Sequence, residues 1–297
     1  VPAIIETMTN FNNQMYVGTG WSDINTDTIW RTANGTDWTP VVTDDFGGSG
    51  TPRNVDVLAV FKNQIYAAVS SEALAGRVGV SIYRSNSGDP GTWNAVVTGG
   101  NGDINNTLID TLVEFNGALY ASGKNTDLGA FIWKSTDGNT WNQVGSYGLG
   151  TDRQEEAISM TVFNGKLFLG TYHNYTGVPV PCQLWSSPDG TNWSPVITDG
   201  FGDVNNLSVR ALYPMGNALY ALTDNVITGS QVLKSVDGSH WTVIAPPGLG
   251  DSNNTWALRG NSITSYNNSL FIALANSASG AEVWELLHMM YLPMVTR

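Results

Sequence analysis

Ser135-Thr136-Asp137-Gly138-Asn139-Thr140-Trp141 is the stretch on which the reading of the fold turns. It recurs as Ser187-Pro188-Asp189-Gly190-Thr191-Asn192-Trp193 and as Ser235-Val236-Asp237-Gly238-Ser239-His240-Trp241. Looser copies are Thr32-Ala33-Asn34-Gly35-Thr36-Asp37-Trp38 and Ser85-Asn86-Ser87-Gly88 ahead of Trp93. An Asp or Asn that bonds its own backbone, a Gly that takes a positive φ and a Trp that opens the next strand are the chemistry of a β-hairpin.

Upstream of each turn stands a second marker: an aromatic or Met, a small polar pair, then an apolar-aromatic pair. Its copies begin at Phe11, Phe61, Phe115, Phe163, Met215 and Tyr266, a period of about fifty residues, the size of a propeller repeat. Asn116-Gly117 and Asn164-Gly165 between alternating runs predict tight hairpins. A third strand follows in each repeat, as in Phe131-Ile132-Trp133-Lys134, and a fourth after the turn, as in Trp193-Ser194-Pro195-Val196-Ile197. Four short strands per repeat without helical periodicity predict an all-β fold, a six-bladed β-propeller with four antiparallel strands per blade. The chain is expected to be one domain over residues 1–297, with blades at 1–45, 46–99, 100–147, 148–199, 200–247 and 248–297. Met8, Leu58, Leu112, Met160, Leu212 and Ile263 share one first-strand position and are expected to pack between blades, as are the two tryptophan columns. The sixth repeat has no such turn. Its tail, ending Tyr291-Leu292-Pro293-Met294-Val295-Thr296-Arg297, is expected to supply the outer strand.

The recurring turn resembles the Asp-box of sialidase-like (BNR-type) propellers, one residue shorter between Asp and Gly, and the resemblance covers nearly the whole chain. It implies the propeller fold, secretion and an association with carbohydrate. It also implies that the turn lies on the face opposite the usual ligand site, so the turn is given a structural role. The sialidase site needs an arginine triad, a Tyr-Glu pair and an acid Asp. No arginine here carries matching flanking sequence, so no catalytic residue is carried over. The tail resembles those of secreted bacterial repeat proteins.

Composition agrees with a secreted or cell-surface protein. Charged residues make up only 13% of the chain, against about 25% in ordinary domains, and the net charge is −12. That surface repels nucleic acid and anionic membranes. It keeps the protein soluble and favours cations such as calcium. No apolar run is long enough to span a membrane. Cys182, the one cysteine, reads as a buried structural thiol. The start at Val1 is expected to reflect a trimmed signal or a cloned fragment.

Candidate ligand-binding residues lie in the loops between blades and between second and third strands. Trp21, Asp23, Tyr172, His173 and Tyr175 combine aromatic faces with polar rims, as sugar recognition requires. Arg53, Arg153, Glu155 and Arg210 add charge near the expected channel mouth. Glu155 and Glu156, being adjacent, are expected to point apart, in a solvated loop. Glu6, Asp56 and Asp110 form a carboxylate column that a structural cation, water or an Arg-centred network would satisfy. Gly102-Asp103-Ile104-Asn105-Asn106 and its copies at Gly202 and Gly250 offer oxygen ligands for a structural calcium, but turn chemistry is the preferred reading. No other cofactor is expected. The leading expectation is a non-enzymatic propeller that binds a glycan or protein surface at the channel mouth. Its rivals are a glycoside hydrolase or lyase with a non-standard acidic site, and a structural self-associating module.

Overall fold

The structure, a computed structural model, describes residues 4–20, 29–43, 46, 54–70, 78–150, 154–173, 179–257, 262–287 and 290–296. The chain divides into two compact units, Val1–Tyr147 and Gly148–Arg297. Each holds three sheet modules built to one plan, and the described residues contain strands and short 3-10 turns without an α-helix. Among the described residues no helix is long and apolar enough to cross a membrane.

In the first unit, module 1 comprises β1 (Ile4–Phe11), β2 (Gln14–Gly20), β3 (Ile29–Thr32) and β4 (Thr39–Val42). Module 2 comprises β5 (Asn54–Phe61), β6 (Gln64–Ser70), β7 (Ser81–Ser85) and β8 (Asn94–Val97). Module 3 comprises β9 (Asn106–Phe115), β10 (Ala118–Asn125), β11 (Gly129–Ser135) and β12 (Asn142–Gln143). In the second unit, module 4 runs β13 (Glu156–Phe163), β14 (Lys166–Tyr172), β15 (Leu184–Ser187) and β16 (Ser194–Ile197). Module 5 runs β17 (Ser208–Met215), β18 (Ala218–Asp224), β19 (Val232–Ser235) and β20 (Thr242–Val243). In module 6 the first strand is split into β21 (Asn254–Ala257) and β22 (Ile263–Tyr266), followed by β23 (Ser269–Asn276), β24 (Gly280–Leu287) and β25 (Met290–Thr296). The strands of each module pair antiparallel in chain order, and the tail, as β25, completes module 6. The first hairpin of modules 1, 2, 3, 4 and 6 closes on two left-handed residues, for example Asn116 (φ 50°) and Gly117 (φ 74°). That is the turn whose twist matches the flanking strands.

The recurring turn shows why its residues are needed. Ser135 Oγ accepts the Gly138 N–H, while Asp137 Oδ1 accepts the Asn139 and Thr140 N–H groups. The Ser187 and Ser235 turns repeat this pattern. The turn glycines do more than supply φ. A Cβ on Gly88 or Gly138 would overlap the hydroxyl end of Tyr16 or Tyr66, and one on Gly238 would overlap Phe168. Each of these turns therefore lies against the second-strand aromatic of the preceding module. That aromatic leans on the ring at the end of the first strand. The same tilted pair occurs at Phe11–Tyr16, Phe61–Tyr66, Phe115–Tyr120, Phe163–Phe168 and Tyr266–Phe271, with centroids 6.1 to 6.4 Å apart and planes at 56° to 60°.

The apolar cores accordingly sit between modules. One joins Phe11, Tyr16 and Ile29 to Val55, Leu58 and Ile65. A second joins Phe61, Tyr66 and Ile82 to Ile109, Leu112 and Leu119. The second unit repeats the arrangement for modules 4 and 5, and for modules 5 and 6. Leu58, Leu112, Met160 and Ile263 are buried as expected and Leu212 is half-buried, but Met8 is exposed. Trp38 also departs from its column: Trp93 and Trp241 meet Phe46 and Phe201 edge-on from the preceding inter-module loop, whereas Trp38 is exposed.

The Gly-Asp-x-Asn-Asn loops lock these junctions. Asp103 Oδ1 accepts the Asn105 N–H and its Oδ2 accepts the Asn125 amide, while Asn125 Oδ1 caps Asp127 and Leu128. Asp203 with Asn225, and Asp251 with Asn276, repeat the lock. The loop then bonds back across the junction, as Val80 N–H to Asn106 O and Gly100 N–H to Val80 O. These carboxylates are engaged as turn fixers by N–H groups.

Two outcomes are expected. Gly138→Ala should destabilise by about 1–3 kcal/mol, from a left-handed alanine plus the clash with Tyr66. Gly35→Ala, which meets no atom within 4 Å, should cost only the backbone term of about 1 kcal/mol; equal losses in urea titrations would refute the packing role. The Thr140 and Asn139 N–H groups hold Asp137 down to about 2, and Asp189 and Asp237 are also depressed, by the Asn192 and His240 N–H groups first. Their stabilisation is complete above the unfolded value of about 4 and is lost as the pH falls through the folded values. Melting temperature should therefore drop below about pH 4, and the triple Asp→Asn variant at these positions should show a smaller drop.

Candidate functional site

In five modules the first strand carries a β-bulge at one place, and the extra residue is Glu6, Asp56, Asp110, Ile158 or Arg210. A bulge re-aims the side chain it inserts, so the carboxylate column foreseen at Glu6, Asp56 and Asp110 has a backbone cause. Among the described residues no group of three or more His, Cys, Asp or Glu side chains gathers at metal-binding spacing. That statement includes Glu6, Asp56 and Asp110.

The bulge at Arg210 stands in a cluster of ionisable groups. Residues Glu156, Tyr172, Ser208 and Asp224 lie side by side on β13, β14, β17 and β18, each the register partner of the next. Directly opposed residues project from one face of a sheet, so these four form a row that crosses from module 4 to module 5. Beside it, the Glu155 N–H bonds Tyr172 O and the His173 N–H bonds Leu207 O. His173 Nδ1 stands 3.8 Å from Glu155 Oε1.

Asp224 is fully buried and thoroughly engaged. Its Oδ2 accepts the Ser208 hydroxyl at 2.7 Å and its Oδ1 accepts the Ala257 N–H at 2.8 Å. Arg210 Nε lies 3.7 Å from Asp224 Oδ2 and donates to Ala257 O at 3.1 Å. Asp224 thus pins the guanidinium by its Nε edge and ties module 5 to module 6. Burial raises the Asp224 pKa, partly offset by Arg210 and the two hydrogen bonds. Burial also raises Tyr172 above its ordinary value, and the carboxylates of Glu156 and Glu155 raise it further. Tyr172 stays protonated and able to donate.

Of the sequence candidates, the structure brings together Glu155, Tyr172, His173 and Arg210. Trp21, Asp23, Arg53, Arg153 and Tyr175 lie outside the described residues. Sequence reasoning underrated Glu156. It is buried rather than solvated, because it opens β13 opposite Tyr172, while Glu155 stays outside the strand and turns toward His173. Asp224 was missed. Its signal was the residue before each locking asparagine: Lys124 before Asn125, Asp224 before Asn225 and Ala275 before Asn276. A position that varies beside one that repeats is where a scaffold carries something particular to one module.

Cys182 is buried, its N–H bonded to Asn206 O, and burial pushes its thiol up, which suits a packing role. A hollow of about 600 Å³ borders Phe11, Gln14, Met15, Thr32 and Gly35. It lies at the hairpin-turn end of module 1 and has no ionisable lining, so it is not the chemical site.

Breaking the Arg210–Asp224 pair should leave a buried group uncompensated. A double-mutant cycle of Arg210→Met and Asp224→Asn, read by denaturant unfolding, should give a coupling of about 1–3 kcal/mol; additive losses would show that the two do not act together.

No protein-family model and no curated protein matches this sequence. Solved structures do resemble it. A xyloglucanase of family GH74 from Xanthomonas campestris aligns with a TM-score of 0.62 and 17% identity over 99% of this chain and 45% of its own. The Penicillium chrysogenum α-L-arabinanase complexed with arabinobiose gives 0.56 and 16% over 96% of this chain and 93% of its own. The Trypanosoma rangeli sialidase in complex with the inhibitor DANA gives 0.55 and 12% over 98% and 54%. The chain thus spans about half the length of the xyloglucanase and the sialidase and nearly all of the arabinanase. At these identities the likeness speaks for architecture alone: the chain has an all-β, propeller-type fold of curled antiparallel sheets.

Proposed function

We propose that the chain is a six-bladed β-propeller, working outside the cell, that recognises a neutral carbohydrate at the polar row that crosses from module 4 to module 5. The observation that carries this reading is the row Glu156–Tyr172–Ser208–Asp224, a polar break in a scaffold whose other columns repeat. Sugar recognition needs an aromatic face for the apolar side of the ring and hydrogen-bonding groups around its rim. Tyr172 supplies the first; His173, Arg210 and the two glutamates supply the second. Three carboxylates against one guanidinium and one imidazole disfavour an anionic sugar. The carbohydrate-directed names of the structurally similar xyloglucanase, arabinanase and sialidase support the ligand class by analogy of fold.

Binding without turnover is the first reading, since Asp224 already accepts from Ser208 and Ala257 and holds Arg210, which makes it a strut. Hydrolysis is the second, favoured by the two buried carboxylates, Glu156 and Asp224, that share the row with Tyr172. A glycan array followed by titration tests both. Tyr172→Ala and Arg210→Ala should each weaken binding at least about tenfold, or about 1.4 kcal/mol. Unchanged affinity in both would refute the site. Release of reducing ends from xyloglucan or arabinan, abolished by Glu156→Gln, would make the protein a hydrolase.

A further inference from the structure

Trp256 belongs to neither of the two recurring tryptophan columns. It precedes the buried Ala257, as Asn54, Leu108, Glu156 and Ser208 precede the buried Val55, Ile109, Ala157 and Val209. Register sets it opposite Ala275, as it sets Leu108 opposite Lys124, Glu156 opposite Tyr172 and Ser208 opposite Asp224. Trp256 is therefore the module 6 member of the row that runs through Glu156, Tyr172, Ser208 and Asp224. Its counterparts in modules 2 to 5 are buried, whereas Trp256 is 36% exposed. Its register partner, an alanine, is too small to cover an indole.

The junction between modules 5 and 6 fixes this residue from both sides. The Asn225 N–H bonds Thr255 O, and Asp224 Oδ1 accepts the Ala257 N–H at 2.8 Å. The two peptide groups that flank Trp256 are thus both held by the chain at Asp224 and Asn225. Arg210 Nε adds a bond to Ala257 O. A platform anchored before its ligand arrives loses little freedom on binding. Tyr172 and Trp256 both belong to the second unit. Counted along β14, β17, β18 and β21 they are three strand spacings apart, about 14 Å. A single sugar ring cannot touch both.

We infer that Trp256 is a second stacking platform, and that the ligand is a chain of neutral sugars lying along the row, with one ring against Tyr172 and a later one against Trp256. The inference rests on the reading of this row as a carbohydrate site. Aromatic faces take the apolar sides of sugar rings. Single-stranded nucleic acid also stacks on aromatic rings, but the carboxylates of Glu155, Glu156 and Asp224 disfavour its phosphates.

Titration calorimetry on the full chain tests the inference, with arabinan- and xyloglucan-derived oligosaccharides from the monosaccharide to the hexasaccharide. Wild-type affinity should rise with length until both rings are engaged. Trp256→Ala should abolish that rise, weakening the hexasaccharide at least about tenfold and leaving the shortest bound member unchanged. Trp256→Tyr should restore most of the loss, and Tyr172→Ala should weaken every member. Melting temperatures equal to that of the wild type would verify that the Trp256 variants fold. If Trp256→Ala binds every length as the wild type does, or is weakened equally at all lengths, while Tyr172→Ala loses affinity, the second platform is refuted and the carbohydrate site stands. If both alanine variants bind as the wild type does, or the wild type binds no member, the site reading falls and this inference with it.

Discussion

The close approach of an aromatic ring to a left-handed glycine is the contact on which the rest of this structure depends. One sheet of four short strands buries too little apolar surface to stand alone. Here each sheet is completed by its neighbour, and the Ser-x-Asp-Gly turn sets how closely the neighbour comes. Glycine is required twice over, by φ and by the ring. The aspartate then holds the loop through two backbone N–H groups, so a residue that looks catalytic in the sequence is consumed by architecture.

A second layer of polar chemistry works at the opposite strand ends. The Asp-x-Asn-Asn loops use side-chain amides and carboxylates as substitutes for backbone pairing, and fasten the start of one sheet to the third strand of the one before. Module 4 replaces this lock with the stretch around Gln154, Glu155 and Glu156. At the position where modules 3, 5 and 6 place a locking asparagine, it carries His173. The row from Glu156 to Asp224 starts at this departure from the repeat. Asp224 serves both layers, since it ties Ala257 of module 6 while presenting Arg210.

Much of the fold was legible because its period is long and its punctuation strong. The hairpins at Asn116-Gly117 and Asn164-Gly165, the third strands and the Asp-Gly turns each follow from local chemistry. So does the tail strand, whose pairing with β24 needed only the absence of a competing turn. Part of the site was legible too: Tyr172, His173, Arg210 and Glu155 stood out as polar or aromatic breaks in the pattern. Glu156 and Asp224 were not, because their importance comes from register. They are 68 positions apart in the chain and reach one row only through β14 pairing with β17 at Tyr172 and Ser208.

The sequence by itself determined the class of the fold, the length and strand order of each repeat, and the structural fate of the aspartate turns. These rest on backbone conformation and on side chains bonding within a few residues, and such energies are set locally. Tertiary structure alone decided that Asp224 is a buried strut, that Glu156 faces Tyr172, and that Met8 is exposed while Leu58, Leu112 and Met160 are buried. Burial and pairing are properties of what stands opposite a residue, and the repeat pattern alone does not say what stands there.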